Sequence, residues 1–154
     1  MSAARLLQAA REKGIKIAAA ESCTGGLIMA ALTDIAGSSD VVDRGFVTYS
    51  NAAKYEMLGV RAATLDQHGA VSEQVAAEMA QGALERSNAG LAVAVTGIAG
   101  PGGSEFKPEG RVCFGLARAK GTQTETVEFG AIGRAEVRRA TVAHALAMML
   151  RAMS

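Results

Sequence analysis

Glu21-Ser22-Cys23-Thr24-Gly25-Gly26 is the segment richest in groups that can do chemistry. An apolar, strand-like piece (Ile15–Ala20) runs into it, and a helix-patterned piece follows at once. A strand that feeds a small-residue turn at a helix start gathers backbone N–H groups at a point where the helix dipole favours negative charge. α/β proteins bind anions and hold nucleophiles in such turns. Ser22 stands at the strand exit with a hydroxyl, and Gly25 and Gly26 let the backbone come close to a ligand.

Three further clusters stand at the ends of predicted elements. In Thr48-Tyr49-Ser50-Asn51-Ala52-Ala53-Lys54, Tyr49 ends a strand, Ser50 is placed to cap a helix, and Lys54 lies one turn inside it. A lysine near a helix start is opposed by the dipole, which favours its neutral form; an ordinary solvated lysine is the alternative. Thr96-Gly97-Ile98-Ala99-Gly100-Pro101-Gly102-Gly103-Ser104, running on to Lys107-Pro108, follows a continuous apolar strand. Its amides can face a phosphate, or it is a plain surface loop. It is neither a Walker loop nor a dinucleotide fingerprint, because the spacing fails. Arg138 and Arg139 lie along the apolar stripe of the last helix (Val142, Ala145, Leu146, Met149, Leu150). Inward-facing arginines need an anion, either a protein carboxylate such as Glu21 or Glu136 or a ligand phosphate.

The elements that must carry these groups follow from hydrophobic period. Helices are expected at Ala3–Lys13 (within an amphipathic Met1–Lys13), Gly26–Ile35, Ser50–Leu58, Ala62–His68, Ser72–Ser87 and Arg134–Met153. Strands are expected at Ile15–Ala20, Val41–Tyr49, Leu91–Thr96, Arg111–Ala119 and Thr124–Gly130, the last two joined by a hairpin at Lys120–Gln123. Ser72 is a second expected cap, and Leu91–Thr96 reads as a strand covered on both faces. The order predicts an α/β fold, a three-layer α/β/α sandwich on a mixed sheet, in one domain over residues 1–154.

Composition narrows the function. A chain of 154 residues with 49% hydrophobic and 20% charged residues is of globular type. A net charge of +1 and 4% aromatics give no basic surface or stacking platform for nucleic acid, and no basic face for a membrane. Nothing reads as a secretory leader or a membrane span. Cys23 and Cys113 lack metal-ligand spacing, and His68 and His144 are isolated, so no metal site is expected. A reducing cytoplasm is the simplest location for two cysteines. The many Ala and Gly residues predict close packing of helix on sheet.

Taken in order, the segments AESCTGG (Ala20–Gly26), TDIAGSSD (Thr33–Asp40), DRGFVTYSNAAK (Asp43–Lys54), HGAVSE (His68–Glu73), AVTGIAGPGG (Ala94–Gly103) and VRRAT (Val137–Thr141) resemble the CinA C-terminal domain family across nearly the whole chain. Characterised members are nicotinamide-nucleotide amidohydrolases, also called nicotinamide mononucleotide deamidases. Many members carry an extra N-terminal domain related to molybdopterin-binding proteins; this chain resembles the stand-alone form. It departs from the family at Gly100–Gly110, where members commonly read GPxGGSEEKPVG and this chain reads GPGGSEFKPEG, one residue shorter with Phe106 and Glu109 changed.

The resemblance implies a three-layer α/β/α fold and hydrolysis of the carboxamide of nicotinamide mononucleotide, giving nicotinate mononucleotide and ammonia. It implies no cofactor and a small-molecule substrate. The residues fit a Ser–Lys scheme in which Ser22 attacks, Lys54 takes its proton, and Tyr49 bridges or positions them. Glu21, Thr24, Gly25 and Gly26 would line the substrate, with amides around Thr24–Gly26 as oxyanion hole. Thr96, Gly97 and Gly100 would hold the nucleotide, and Arg138 or Arg139 its phosphate. An ordinary lysine, pKa about 10.4, is only about 0.04% neutral at pH 7, and bringing it near 7 takes about 4 kcal/mol. Cys23 is the competing nucleophile, set aside because the resemblance assigns serine and no cysteine-activating histidine is visible in this segment. A competence- or damage-related regulatory module that binds nucleotide without turnover is the alternative function. A homodimer or higher homo-oligomer is the expected assembly.

Overall fold

The computed structural model describes residues 2–104 and 106–154, so Met1 and Glu105 lie outside the description. The order is α1 (Ser2–Lys13), β1 (Ile17–Glu21), α2 (Leu27–Thr33), a 3-10 turn (Ser38–Asp40), β2 (Val42–Val47), α3 (Asn51–Leu58), α4 (Ala62–His68), α5 (Glu73–Glu85), β3 (Leu91–Gly97), β4 (Arg111–Arg118), β5 (Gly121–Glu128) and α6 (Arg134–Ala152). The sheet runs β2-β1-β3-β4-β5. β2, β1 and β3 are parallel, and β4 and β5 are antiparallel additions.

Strand period two sorts the core onto the two faces. Ile17 and Ala19 of β1, with Leu91, Val93 and Val95 of β3, pack against apolar residues of α1, α2 and α6. Ala18, Ala20, Ala92 and Ala94 face the other way, onto Leu58 of α3 and Val75, Met79, Ala80 and Ala83 of α5. Helices therefore cover both sides of a mixed sheet, which is the three-layer sandwich expected from sequence. β3 is buried over its first six residues, as a strand covered on both faces must be.

The small side chains on the α5 face set its spacing. A Cβ built on Gly115 of β4 would lie 2.4 Å from the Ala76 carbonyl oxygen of α5. Backbone thus meets backbone there, which only glycine permits.

Ser50 and Ser72 are the expected caps, accepting from the amides of Ala53 and Val75 respectively. Boundaries differ in two informative places. β1 continues through Glu21, which pairs with Val47 and Val95. The hairpin is tighter than the expected Lys120–Gln123 turn: Arg118 pairs with Gly121, so only Ala119 and Lys120 form the turn. Gly121, at φ 146, re-enters the ladder directly. Thr122, expected in the turn, therefore joins Thr124 and Thr126 on this edge strand.

Gly115→Ala is expected to lower stability by about 1–3 kcal/mol through overpacking against α5. Urea unfolding checks it, and an unchanged midpoint would contradict the contact.

Candidate active site

The carboxyl ends of β2, β1 and β3 converge on one edge of the sheet, where open α/β sheets place ligands. Strand alternation decides which side each residue serves. Glu21 falls in the Ile17–Ala19 register and turns under α2. Ser22 falls in the Ala18–Ala20 register and turns towards α3. The ladder extends one residue further, because the Ser22 amide donates to the Val95 carbonyl at 3.2 Å.

Glu21 is wholly buried. Its carboxylate accepts from the Thr24 hydroxyl and from the amides of Gly26 (3.1 Å), Ile28 (3.0 Å) and Met29 (3.0 Å). The helix N-cap, Gly26, has no side chain to offer. A carboxylate from the preceding strand takes over the capping and meets the positive end of the helix dipole. The turn between needs left-handed backbone at Gly25 (φ 59) and Gly26 (φ 113). The other glycine amide of the turn is also engaged internally: Gly25 N–H donates to the Ser22 carbonyl at 3.1 Å. Arg138 grips the same turn, donating from Nε to the Cys23 carbonyl and from Nη2 to the Thr24 carbonyl, each at 3.1 Å.

Lys54 is 1% exposed although it carries an amine. Helical side chains lean towards the helix N-terminus, so its stem runs back past Ser50 to the residues before α3. Nζ lies 2.9 Å from Ser22 Oγ, 2.8 Å from the Thr48 carbonyl oxygen and 3.3 Å from that of Tyr49. Thr48 is itself held by its amide's bond to the Glu21 carbonyl at 2.8 Å.

A cleft of about 320 Å³ opens above this pair, lined by Ser22, Cys23, Lys54, Thr96, the 97–104 loop and Arg134 among others. The loop is pinned from below. The Gly102 amide donates to the Glu109 carboxylate at 2.7 Å, and Lys107 Nζ donates to the carbonyls of His68 and Val71, both at 2.6 Å. Phe106 stands fully exposed at the loop tip.

The geometry separates the residues expected at the site. Ser22, Lys54, Thr96, Gly97 and Gly100 line the cleft, and so does Tyr49. The Tyr49 phenol does not bridge Ser22 and Lys54, however; it is 63% exposed and accepts from Arg134 Nη2 at 3.2 Å, leaving its backbone carbonyl to hold the lysine. Glu21, Thr24, Gly25 and Gly26 are not cleft residues. They build the turn, and the Gly25 and Gly26 amides expected in an oxyanion hole already have acceptors. Arg138 meets backbone carbonyls rather than a carboxylate or the cleft. Arg139 pairs with Glu136 on the surface, beside α2 residues away from the cleft.

Arg134 was not among the expected residues. It opens α6 and lies across the cleft rim, donating from Nη1 to the Gly100 carbonyl at 2.7 Å as well as to Tyr49. A cation at a helix start opposes the dipole, and that misplacement was the one signal the sequence offered. His144 packs against the Phe114 ring at 4.5 Å and pairs with Glu125. Among the described residues no three His, Cys, Asp or Glu side chains are grouped to hold a metal ion, and no helix is long and apolar enough to cross a membrane.

Cys23 adjoins Ser22, but burial pushes its thiol up to about 11. A thiol with that pKa is almost wholly protonated at neutral pH.

The CinA C-terminal domain model matches residues 1–153, and the chain belongs to that family. It is 54% identical over 140 residues to the nicotinamide-nucleotide amidohydrolase PncC of Escherichia coli K12, covering 90% of this chain and 85% of that protein. It is 58% identical over 122 residues to a CinA-like protein of Chlorobium phaeobacteroides, spanning 77% of this chain but only 29% of that longer relative. Among solved structures, the competence/damage-inducible protein CihA of Agrobacterium tumefaciens superposes with a TM-score of 0.94 at 55% identity, covering 99% of this chain and 93% of that one.

Two outcomes are expected here. Glu21→Gln should lower unfolding stability by about 1.5–3 kcal/mol, because an amide NH2 would face backbone donors; an unaltered urea midpoint would remove the capping role. Iodoacetamide should label Cys23 at pH 7.5 at least about 100-fold more slowly than an ordinary thiol, rising about tenfold per pH unit towards 10 because the thiolate forms only near 11. A plateau near pH 8, read by mass spectrometry, would contradict this.

Proposed function

We propose that this chain hydrolyses the carboxamide of nicotinamide mononucleotide to nicotinate mononucleotide and ammonia, with Ser22 as nucleophile and Lys54 as general base. The observation that carries the reading is the buried Nζ of Lys54 at 2.9 Å from Ser22 Oγ on the floor of the cleft. The amidohydrolase named among the relatives supplies the substrate class.

A neutral amine has two N–H bonds and one lone pair. The carbonyls of Thr48 and Tyr49 accept the two N–H bonds, and the lone pair then faces the Ser22 hydroxyl. Ser22 Oγ attacks the carboxamide carbon as its proton passes to Lys54. Lys54 returns that proton to the departing nitrogen, and ammonia leaves an ester on Ser22. Water then attacks the ester, giving a proton to Lys54, which restores it to Oγ. With the Gly25 and Gly26 amides engaged, the next residues of the turn, Cys23 and Thr24, are the turn's sources of an oxyanion donor. Arg134 is the guanidinium at the cleft rim and meets the phosphate, in place of Arg138 and Arg139.

The competence and damage names among the relatives fit a module that only binds nucleotide, but such a module has no use for a lysine buried against a serine. A reducing cytoplasm suits the two free thiols.

Lys54→Ala and Lys54→Arg should each reduce kcat at least about 1,000-fold, measured as ammonia release. Arginine stays charged and cannot serve as base. Near-normal turnover in both variants would remove Lys54 from the mechanism, and no turnover by the unaltered protein with nucleotide still bound would favour the binding module.

A further inference from the structure

The hydroxyl of Thr96 has one proton, and the Ala70 carbonyl oxygen, 2.9 Å away, accepts it. A carbonyl cannot donate, so the direction of this bond is fixed. What Thr96 Oγ1 has left for the cleft is lone pairs. β1 and β3 pair Ala20 with Ala94 and Glu21 with Val95, so Ser22 and Thr96 follow side by side on the same face of adjacent strands. Both line the cleft.

An acceptor-only group beside the nucleophile selects what can stand there. The NH2 of a carboxamide and departing ammonia both have N–H bonds to give it. A carboxylate oxygen has none and is repelled. The carbonyls of Thr48 and Tyr49 are also acceptors, and they hold Lys54 Nζ against Ser22 so that its lone pair can take a proton from the nitrogen beside Thr96. The surroundings of Oγ are thus built for an uncharged nitrogen bearing hydrogens. Contacts that stabilise ammonia as it leaves also stabilise an amine arriving along the same path, by microscopic reversibility.

We propose that the acyl–Ser22 intermediate is captured by small neutral amines as well as by water, so that the chain transfers the nicotinoyl group of the nucleotide to nitrogen nucleophiles such as hydroxylamine, with Thr96 accepting from the incoming N–H. This rests on the covalent deamidase reading given above. In the transfer, the amine nitrogen bonds to the ester carbon and one of its protons passes to Lys54. The carbon–Oγ bond then breaks and Lys54 returns the proton to Ser22. With hydroxylamine the products are a hydroxamate and free serine, and nothing is oxidised or reduced.

The test incubates the full chain with nicotinamide mononucleotide and increasing hydroxylamine near pH 7, where that amine is largely neutral, and resolves hydroxamate from acid by mass spectrometry. The hydroxamate share should rise linearly with hydroxylamine and both products should vanish in Ser22→Ala. Acid formed at its usual rate with no hydroxamate overturns the transfer while leaving the deamidase reading intact. Loss of both products in the unaltered protein, hydroxylamine or not, means the deamidase reading itself has failed. Thr96→Val should lower the hydroxamate-to-acid ratio about tenfold, the worth of one hydrogen bond, and Thr96→Ser should restore it. An unchanged ratio in Thr96→Val overturns the role of Thr96.

Discussion

The buried carboxylate of Glu21 is the fixed point of this molecule. A charge-bearing side chain with no exposure must be fully satisfied by the protein, and the start of α2 satisfies it with backbone donors and a favourable dipole. The arrangement works in both directions. The helix gains a cap that its own N-terminal glycine cannot give, and the strand end is locked to the helix start. Ser22 is the next residue, so its position is set by a bond made on the opposite face of the sheet. Arg138 closes the same turn from α6 through two carbonyls. A feature that looks from its composition like a ligand-binding turn is thereby filled by the protein itself, and the cleft lies on its other side.

The second constraint is convergence. β1 delivers Ser22, the exit of β2 delivers the carbonyls that hold Lys54, and β3 delivers Thr96 and the glycine-rich loop. Three parallel strands in the order β2-β1-β3 put these groups next to one another with no long-range guidance beyond the ladder. The alanine-rich side of the sheet has a part in this. Small residues at 18, 20, 92 and 94 let the α3–α5 layer sit close, which brings a lysine stem within reach of the strand end.

The sequence made the architecture legible because its signals were periodic. Apolar repeats located every helix and strand, and Ser50 and Ser72 announced their caps. Ser22 and Lys54 were legible as a candidate pair because each stood at a strand exit or a helix start. The roles of Glu21, Thr24, Gly25 and Gly26 were not, because a turn that binds an anion and a turn that binds its own carboxylate have the same composition. Only strand alternation, which turns Glu21 one way and Ser22 the other, separates the two cases. Tyr49, expected to bridge or position the pair, lines the cleft, but its atom beside Lys54 is the carbonyl, and main-chain atoms leave no mark in side-chain type. Arg134 escaped because a helix start is judged by caps and apolar stripe, and its reach across to Gly100 and Tyr49 depends on how α6 packs.

Lys54 also bears on how the site relates in time to the rest of the fold. A lysine in water samples many rotamers, and holding it in one orientation is entropically unfavourable. Here the whole stem is enclosed by core, so that ordering occurs when the chain folds and does not recur with each substrate molecule. The amine is in position beside Ser22 before anything binds. The same enclosure ties the position of the amine to the packing of α3 on the sheet, so a shift of that helix carries Nζ away from Ser22.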